Sequence, residues 1–392
     1  MSYNSLITSD SFMSITGDNM GKTNLVYICN YAANYTGNFI ASLIRIAEAE
    51  MRNRRVFFVF PEDAKEKKWL KNLPIGCEVL FCKFDKKSLG VFSKKLAREL
   101  GRSNTIVHTH FVDGFSQMAI KMRFKHIISH YHMCVPEIIN MRRRIRRILD
   151  NIFYANCILV GVSDAVMADL KKYLKFSKCL CIPNAIDFDS LEKCSTICSS
   201  AGKISDGMGF KILMHGTHFF RKGVDMAIQA IENLHMRGYE CCLYITSHNV
   251  EEAKANVQKI ANKKELFRVI EVVEDVKNLY DNVDLFISPS RSEAFGYAVA
   301  EASYSNCQVA ASMTDGQNCM MDIPGIIWHK PADAEALQDA IIEAIENKLR
   351  GIDCQIKEEQ RTFTLKNYNV DQWVESVAQL YKICEKNSEM SH

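Results

Sequence analysis

Short apolar runs rich in β-branched residues recur along the chain, separated by segments of helical length. NLVYICN (24–30), RVFFVF (55–60), CEVLF (77–81), TIVHTH (105–110), HIISHYH (126–132) and CILVGVS (157–163) form a first series. KILMHG (211–216), YECCLYITS (239–247), FRVIEVV (267–273), VDLFISPS (283–290) and CQVAAS (307–312) form a second. Runs of this kind bounded by helical segments predict strands of parallel sheets. Between the first two strands of the second series, Val224, Ile228, Ile231 and His235 fall on one helical face, widened by Ala227 and Leu234. The expected fold class is α/β: two Rossmann-like doubly wound domains, each an open sheet with helices on both faces. Such sheets place ligands beyond the carboxyl ends of their strands, and two of them predict an interdomain cleft.

A length of 392 residues suits two domains at ~100–200 residues each. The polar stretch 193–209, KCSTICSSAGKISDGMG, reads as a linker, so the domains are expected at 1–190 and 191–392. The last segment, 368–387, has helical spacing at Val370, Trp373, Val377, Leu380 and Ile383 and could pack on either domain.

Composition narrows the class. The 47% hydrophobic and 24% charged fractions permit a real core, and no low-complexity tract points to disorder. No apolar run approaches the ~18–20 residues of a membrane span, and the polar start lacks a signal-peptide pattern, so a cytoplasmic location is expected. Fifteen cysteines occur without any C-x-x-C and many lie in apolar strands, so they read as reduced core thiols. The net charge of +3 hides an asymmetry: residues 1–190 hold 28 Lys+Arg against 17 Asp+Glu, and 191–392 hold 21 against 29. A basic first half suits a polyanionic partner. The segment 138–154, with Arg142, Arg143, Arg144, Arg146 and Arg147 among Ile138, Ile145, Ile148 and Leu149, reads as a basic amphipathic helix. A solvated arginine face, contact with an anionic membrane and binding of a pyrophosphate-linked lipid all remain open for it. No aromatic-interleaved motif points to nucleic acid.

The most informative stretch is SPSRSEAFGYAVAEASYSNCQVAAS (288–312), a strand end, a turn and an Ala-rich helix starting near Phe295. The first N–H groups of a helix lack internal partners, and Gly296 lets a phosphate approach the backbone around Ala294, Phe295 and Gly296. Glu293 precedes that helix and Glu301 lies along it. Carboxylates there would repel a diphosphate, so their targets are hydroxyl groups. Taken alone, the pair is equally a capping box at Ser290-x-x-Glu293 with a solvated Glu301. In MHGTHFFRKGVDMAI (214–228), Arg221 and Lys222 open a helix where the dipole disfavours cations, which suits a diphosphate resident.

SRSEAFGYAVAEA resembles the E-x7-E signature of retaining glycosyltransferases of the GT-B fold, especially family 4 (glycosyl transferases group 1). The resemblance extends through VEDVKNLYDNVDLFISPS, AASMTDGQNCMM and HKPADAEALQDAI (329–341). It implies a GT-B architecture in which Glu293 contacts the donor sugar and Glu301 the ribose. Lys222 is similar to the family's phosphate-binding lysine in R/K-G-x-D. Many members carry a further Arg after the strand, where this chain has Gly216-Thr217-His218, leaving Arg221 as the second cation. Gly37 and Asn38, in NYAANYTGNFIAS (30–42), match a loop that approaches donor phosphate or acceptor; a plain turn and N-cap is the alternative. SDAVMADL (163–170) and IPNAIDFD (182–189) resemble a serine-initiated helix and a hinge with structural roles.

Histidines cluster in HTH (108–110) and HIISHYH (126–132). H-x-H raises the question of zinc, but no acidic or thiol ligand follows at a convincing spacing, so no metal is expected. The family often has a catalytic cleft histidine after the equivalent strand; His132 is the match and His130 the rival. The expected activity is retaining transfer from a nucleotide-diphosphate sugar donor to a hydroxyl of a glycan or lipid-linked acceptor, in surface polysaccharide or glycoconjugate synthesis. No cofactor is expected, because cations and the helix dipole replace a divalent metal. A catalytically silent GT-B partner subunit, a phosphorylase or a sugar-nucleotide epimerase on the same fold are the alternatives.

Overall fold

The computed structural model describes residues 6–7, 23–33, 37–133, 151, 154, 157–174, 178–197, 204 and 209–389. The chain divides into two compact units, Met1–Asn184 with Val370–His392, and Ala185–Asn369. The basic segment 138–150 lies outside the described residues.

In the first unit the strands are β1 Leu6–Ile7, β2 Asn24–Cys29, β3 Arg55–Pro61, β4 Glu78–Cys82, β5 Thr105–His110, β6 His126–Tyr131, β7 Ile158–Gly161 and β8 Lys178–Cys181. They form one parallel sheet in the order β1-β4-β3-β2-β5-β6-β7-β8. Leu25 to Cys29 are fully buried, as expected of a strand covered on both faces. Neither β1 nor β8 was anticipated: β1 has two residues and β8, KCLC, carries little apolar signal.

The second unit holds β9 Phe210–His215, β10 Cys241–Ser247, β11 Phe267–Glu271, β12 Leu285–Ser288, β13 Gln308–Ser312 and β14 Ile327–His329, all parallel, in the order β11-β10-β9-β12-β13-β14. The three-residue β14 was also missed. The helix Val224–Met236 buries Val224, Ala227, Ile228, Ile231 and Leu234 against Ile212, Met214 and Ile287. Burying each Val, Ile or Leu of this face is worth about 1.5–3 kcal/mol. His235, expected on this face, is exposed in the last turn.

The division falls at 184/185, inside the hinge-like segment IPNAIDFD, and at 369/370. The expected boundary at 190 differs because the helix Phe188–Ile197 packs within the second unit. Phe188 packs on Tyr304 with ring centroids 4.2 Å apart, and Glu192 accepts from Tyr304 at 2.9 Å and pairs with Arg361 at 3.1 Å. The closing helix Val370–Glu389 belongs to the first unit, where Val370, Trp373, Val377, Leu380 and Tyr381 are buried. Arg54 ties it to the sheet side through Glu385 at 2.6 Å and also pairs with Glu50.

Strand order reverses between β9 and β12 in the second unit and between β2 and β5 in the first. At such a switch point the connecting loops diverge, leaving a crevice at the carboxyl ends of the strands.

Candidate active site

The loops after β9 and β12 flank the second unit's switch point, and they carry the residues expected to bind the donor. Gly223 caps the helix Val224–Met236 with φ 74°, and a Cβ there would stand 2.1 Å from the Pro289 carbonyl oxygen. Only glycine allows the two loops to approach this closely. Arg291 clamps them further: its N–H donates to the Arg221 carbonyl at 2.8 Å, and its guanidinium holds Asp225 at 2.7 Å through both nitrogens.

That approach brings Lys222 and Glu293 together. Lys222 Nζ lies 2.5 Å from Glu293 Oε1, Ser290 Oγ donates to the same oxygen at 2.9 Å, and Arg221 Nη1 stands 3.5 Å from it. The Lys222 and Glu293 side chains are 20% and 12% exposed, so this pair is largely removed from water and loss of one partner would strand the other. Ser290 therefore does not cap a helix with Glu293. The helix is Tyr297–Tyr304, capped by Gly296 at φ 101°, so Ala294, Phe295 and Gly296 form the turn before it. Gly316 seats that turn: a Cβ there would stand 1.9 Å from the Glu293 carbonyl oxygen.

Glu301, in the second turn of this helix, is held by a buried line of hydrogen bonds that no sequence pattern announced. Tyr280 donates its hydroxyl to Glu301 Oε2 at 3.1 Å. His215, the last residue of β9, meets the Tyr280 oxygen through Nε2 at 2.7 Å and Thr246 Oγ1 through Nδ1 at 2.7 Å. A carboxylate only accepts, so the Tyr280 proton points to Glu301, His215 Nε2–H donates to Tyr280, and Nδ1 accepts from Thr246. Burial, reinforced by the Lys222 and His248 charges, pushes His215 down to about 3 and keeps it neutral. Burial beside Glu301 holds the Tyr280 phenol well above its ordinary value.

The further Arg that many family members carry after this strand has no counterpart in Gly216-Thr217-His218, and Gly216 itself has no room for a side chain. A Cβ there would stand 2.4 Å from Ile245 Cγ2, while the Gly216 N–H donates to Thr246 at 2.8 Å. The following His218 is exposed with φ 67°.

Gly37, Asn38 and His132 lie in the first unit. Gly37, at φ 58°, begins the helix Gly37–Glu50, and Asn38 is its second residue. His132 follows β6 and is half-buried; its Nε2 lies 3.0 Å from His110 Nδ1, and Phe111 stacks on it at 4.2 Å. Its rival His130 is buried. Two residues apart on one strand, His108 and His110 share a face, with ring centroids 4.3 Å apart, and β6 supplies His130 beside them. One nitrogen from each of His108, His110 and His130 lies within 4.8 Å of those of the other two. The third histidine came from the neighbouring strand, where spacing along β5 could not reveal it.

Residues 209–347 match the family of glycosyl transferases group 1. The matched segment lies wholly within the second unit. No curated protein matches the sequence. Among solved structures, the chain is similar to a glycosyltransferase from Rickettsia africae (18% identity, TM-score 0.76, covering 94% of this chain and 100% of that one). It is also similar to sucrose-phosphate synthase from Thermosynechococcus elongatus (16%, 0.74, 93% and 100%) and to Anabaena HepE in complex with UDP-glucose (14%, 0.69, 92% and 99%). At these identities the likeness is one of fold: the two-domain α/β architecture of GT-B glycosyltransferases. Among the described residues the cysteines are free thiols, and no helix is long and apolar enough to cross a membrane.

Proposed function

We propose that the protein transfers a sugar from a nucleotide-diphosphate sugar to a hydroxyl of a glycan or lipid-linked acceptor, with retention. The observation that carries this reading is the convergence of Lys222, Arg221 and Ser290 on one oxygen of Glu293, beside the helix start at Gly296. Two cations and a helix N-terminus at a switch point suit a diphosphate, whose charge grows as the glycosidic bond breaks. All three contacts fall on Glu293 Oε1, and among the described residues Oε2 has no hydrogen-bond partner, so it is placed to accept from a sugar hydroxyl. Glu301, fixed by Tyr280, accepts from the ribose hydroxyls. The reaction at this site needs no divalent metal, because Lys222, Arg221 and the helix start take its electrostatic part. His132 is the first unit's contribution to catalysis, and Gly37 and Asn38 contact donor phosphate or acceptor. The UDP-glucose bound by HepE supports a sugar nucleotide as donor.

A thermal-shift panel of UDP-, GDP- and ADP-sugars tests the binding step. A true donor at 100 times its Kd stabilises the fold by about 2.7 kcal/mol, whereas a flat response to the whole panel rejects the reading. The anomeric configuration of the product, followed by NMR with the bound donor, tests retention.

A further inference from the structure

We infer that His108, His110 and His130 form a binding site for a divalent transition-metal ion of the zinc class. The site lies in the first unit, on the face of the sheet covered by the closing helix Val370–Glu389, and is independent of the donor-binding reading. The three rings are 0%, 0% and 4% exposed, and among the described residues no carboxylate or thiol joins the cluster.

The hydrogen bonds that His108 and His110 make outside the cluster are those of oriented metal ligands. His108 Nδ1 meets the Tyr381 hydroxyl at 2.9 Å, and Tyr381 donates to Tyr27 at 3.0 Å, so His108 carries its proton on Nδ1 and its lone pair on Nε2. His130 Nδ1–H then donates to His108 Nε2 at 3.3 Å, leaving the lone pair of His130 on Nε2. His110 Nδ1–H donating to His132 Nε2 at 3.0 Å leaves His110 with a free Nε2 lone pair as well. Imidazoles that ligate metals hold their second nitrogen in this way, which sets both tautomer and ring orientation.

The second observation is an unmet need. His110 Nε2 and His130 Nε2 are buried and, among the described residues, have no hydrogen-bond partner. A buried polar atom left unpaired costs about 1–3 kcal/mol, and two in one cluster call for an explanation. A metal ion would satisfy both; it would also take the His108 Nε2 lone pair, so the long His130 Nδ1–H to His108 Nε2 hydrogen bond would break and His130 Nδ1–H would need another acceptor. Ligand atoms within 4.8 Å of one another must draw in to the roughly 3.3 Å set by Zn–N bonds of about 2.0–2.1 Å in a tetrahedron. Rotation about the broad χ2 torsions of the rings supplies that contraction.

Three neutral nitrogens leave a divalent charge uncompensated and one tetrahedral position open. Hydroxide or an anionic substrate oxygen is the fitting fourth ligand. The half-buried His132 and the exposed Phe111 mark the accessible end of the cluster.

The test is titration of the chelator-treated full-length chain with Co²⁺, followed by Zn²⁺ competition and elemental analysis. One equivalent of Co²⁺ showing the visible bands of a four-coordinate nitrogen and oxygen site, displaced by one Zn²⁺, is expected. The double variant His110→Gln, His130→Gln should abolish it, and His235→Gln should leave it intact. If the double variant does not fold by circular dichroism, Tyr381→Phe serves instead and should weaken Co²⁺ binding about 10–100-fold. Sub-stoichiometric uptake by the wild type, thiolate charge-transfer bands, or undiminished binding in the folded double variant or in Tyr381→Phe would overturn the assignment.

Discussion

Each unit holds a histidine against a tyrosine hydroxyl beside its switch point, and the two arrangements end differently. In the second unit the line from Thr246 through His215 and Tyr280 finishes on the Glu301 carboxylate. In the first, the line from His108 through Tyr381 finishes on Tyr27, a second neutral hydroxyl. Two cations lie at the second unit's crevice, in Arg221 and Lys222, whereas the corresponding strands of the first carry imidazoles kept neutral by burial. The same strand order thus supports a charged recognition site in one unit and a neutral nitrogen cluster in the other. The side chains at the last positions of the strands and in the loops after them decide which, while the sheet supplies only the place.

The largest effect should come from breaking the charged side of this comparison. Lys222→Ala removes the principal cation of the crevice and should reduce donor turnover about 10²–10³-fold; steady-state transfer at saturating donor measures it, and near-wild-type turnover would remove Lys222 from the mechanism. Gly223→Ala tests the approach of the two loops that creates the site. Its Cβ would meet the Pro289 carbonyl oxygen at a φ of 74°, so stability should drop by about 3 kcal/mol in urea unfolding.

The two tyrosines sharpen the comparison directly. Tyr280→Phe and Tyr381→Phe each leave a buried imidazole N–H without its acceptor, at about 1–3 kcal/mol of stability. Only Tyr280→Phe should also raise KM for the donor, because only its line ends on a substrate-binding carboxylate.

The smallest effect concerns pH. His215 titrates at about 3 when folded and near 6.5 when unfolded, so below 6.5 the unfolded chain binds the extra proton and stability falls as pH falls. From pH 6.5 to about 5.5 this amounts to about 1 kcal/mol. His215→Asn should lessen the loss by about that amount, the buried imidazoles of the first unit keeping the rest, and an unchanged slope in denaturant titrations across that window would show that His215 does not contribute.

Much of the proposed donor site is legible along the chain because its parts are contiguous. Glu293, Gly296 and Glu301 lie in one turn and helix, and Arg221-Lys222-Gly223 in another, so strand ends and motif spacing identified both. The spacing Ser290-x-x-Glu293 leaves a helix cap open for Ser290, but it serves the Glu293 carboxylate across the turn, because the helix begins only at Tyr297. Tyr280 and His215 carried no signal. Their roles depend on β9 and β12 being neighbours, which brings residues 65 positions apart within 2.7 Å. The strands β1, β8 and β14 escaped for another reason: two to four residues of mixed polarity are too short for periodicity to register.

What the sequence determined by itself was the alternation of apolar strands and amphipathic helices, and with it two parallel sheets whose loops hold the chemistry. Burial periodicity is local, so it is written in neighbouring residues. Which loops meet was decided only by the tertiary structure, through strand order and through backbone contacts that glycine alone permits at 223 and 316. The histidines show the same limit. HTH places two imidazoles on one face by the period of the strand, but the third reaches them only because β6 lies in register beside β5, with His110 opposite His130.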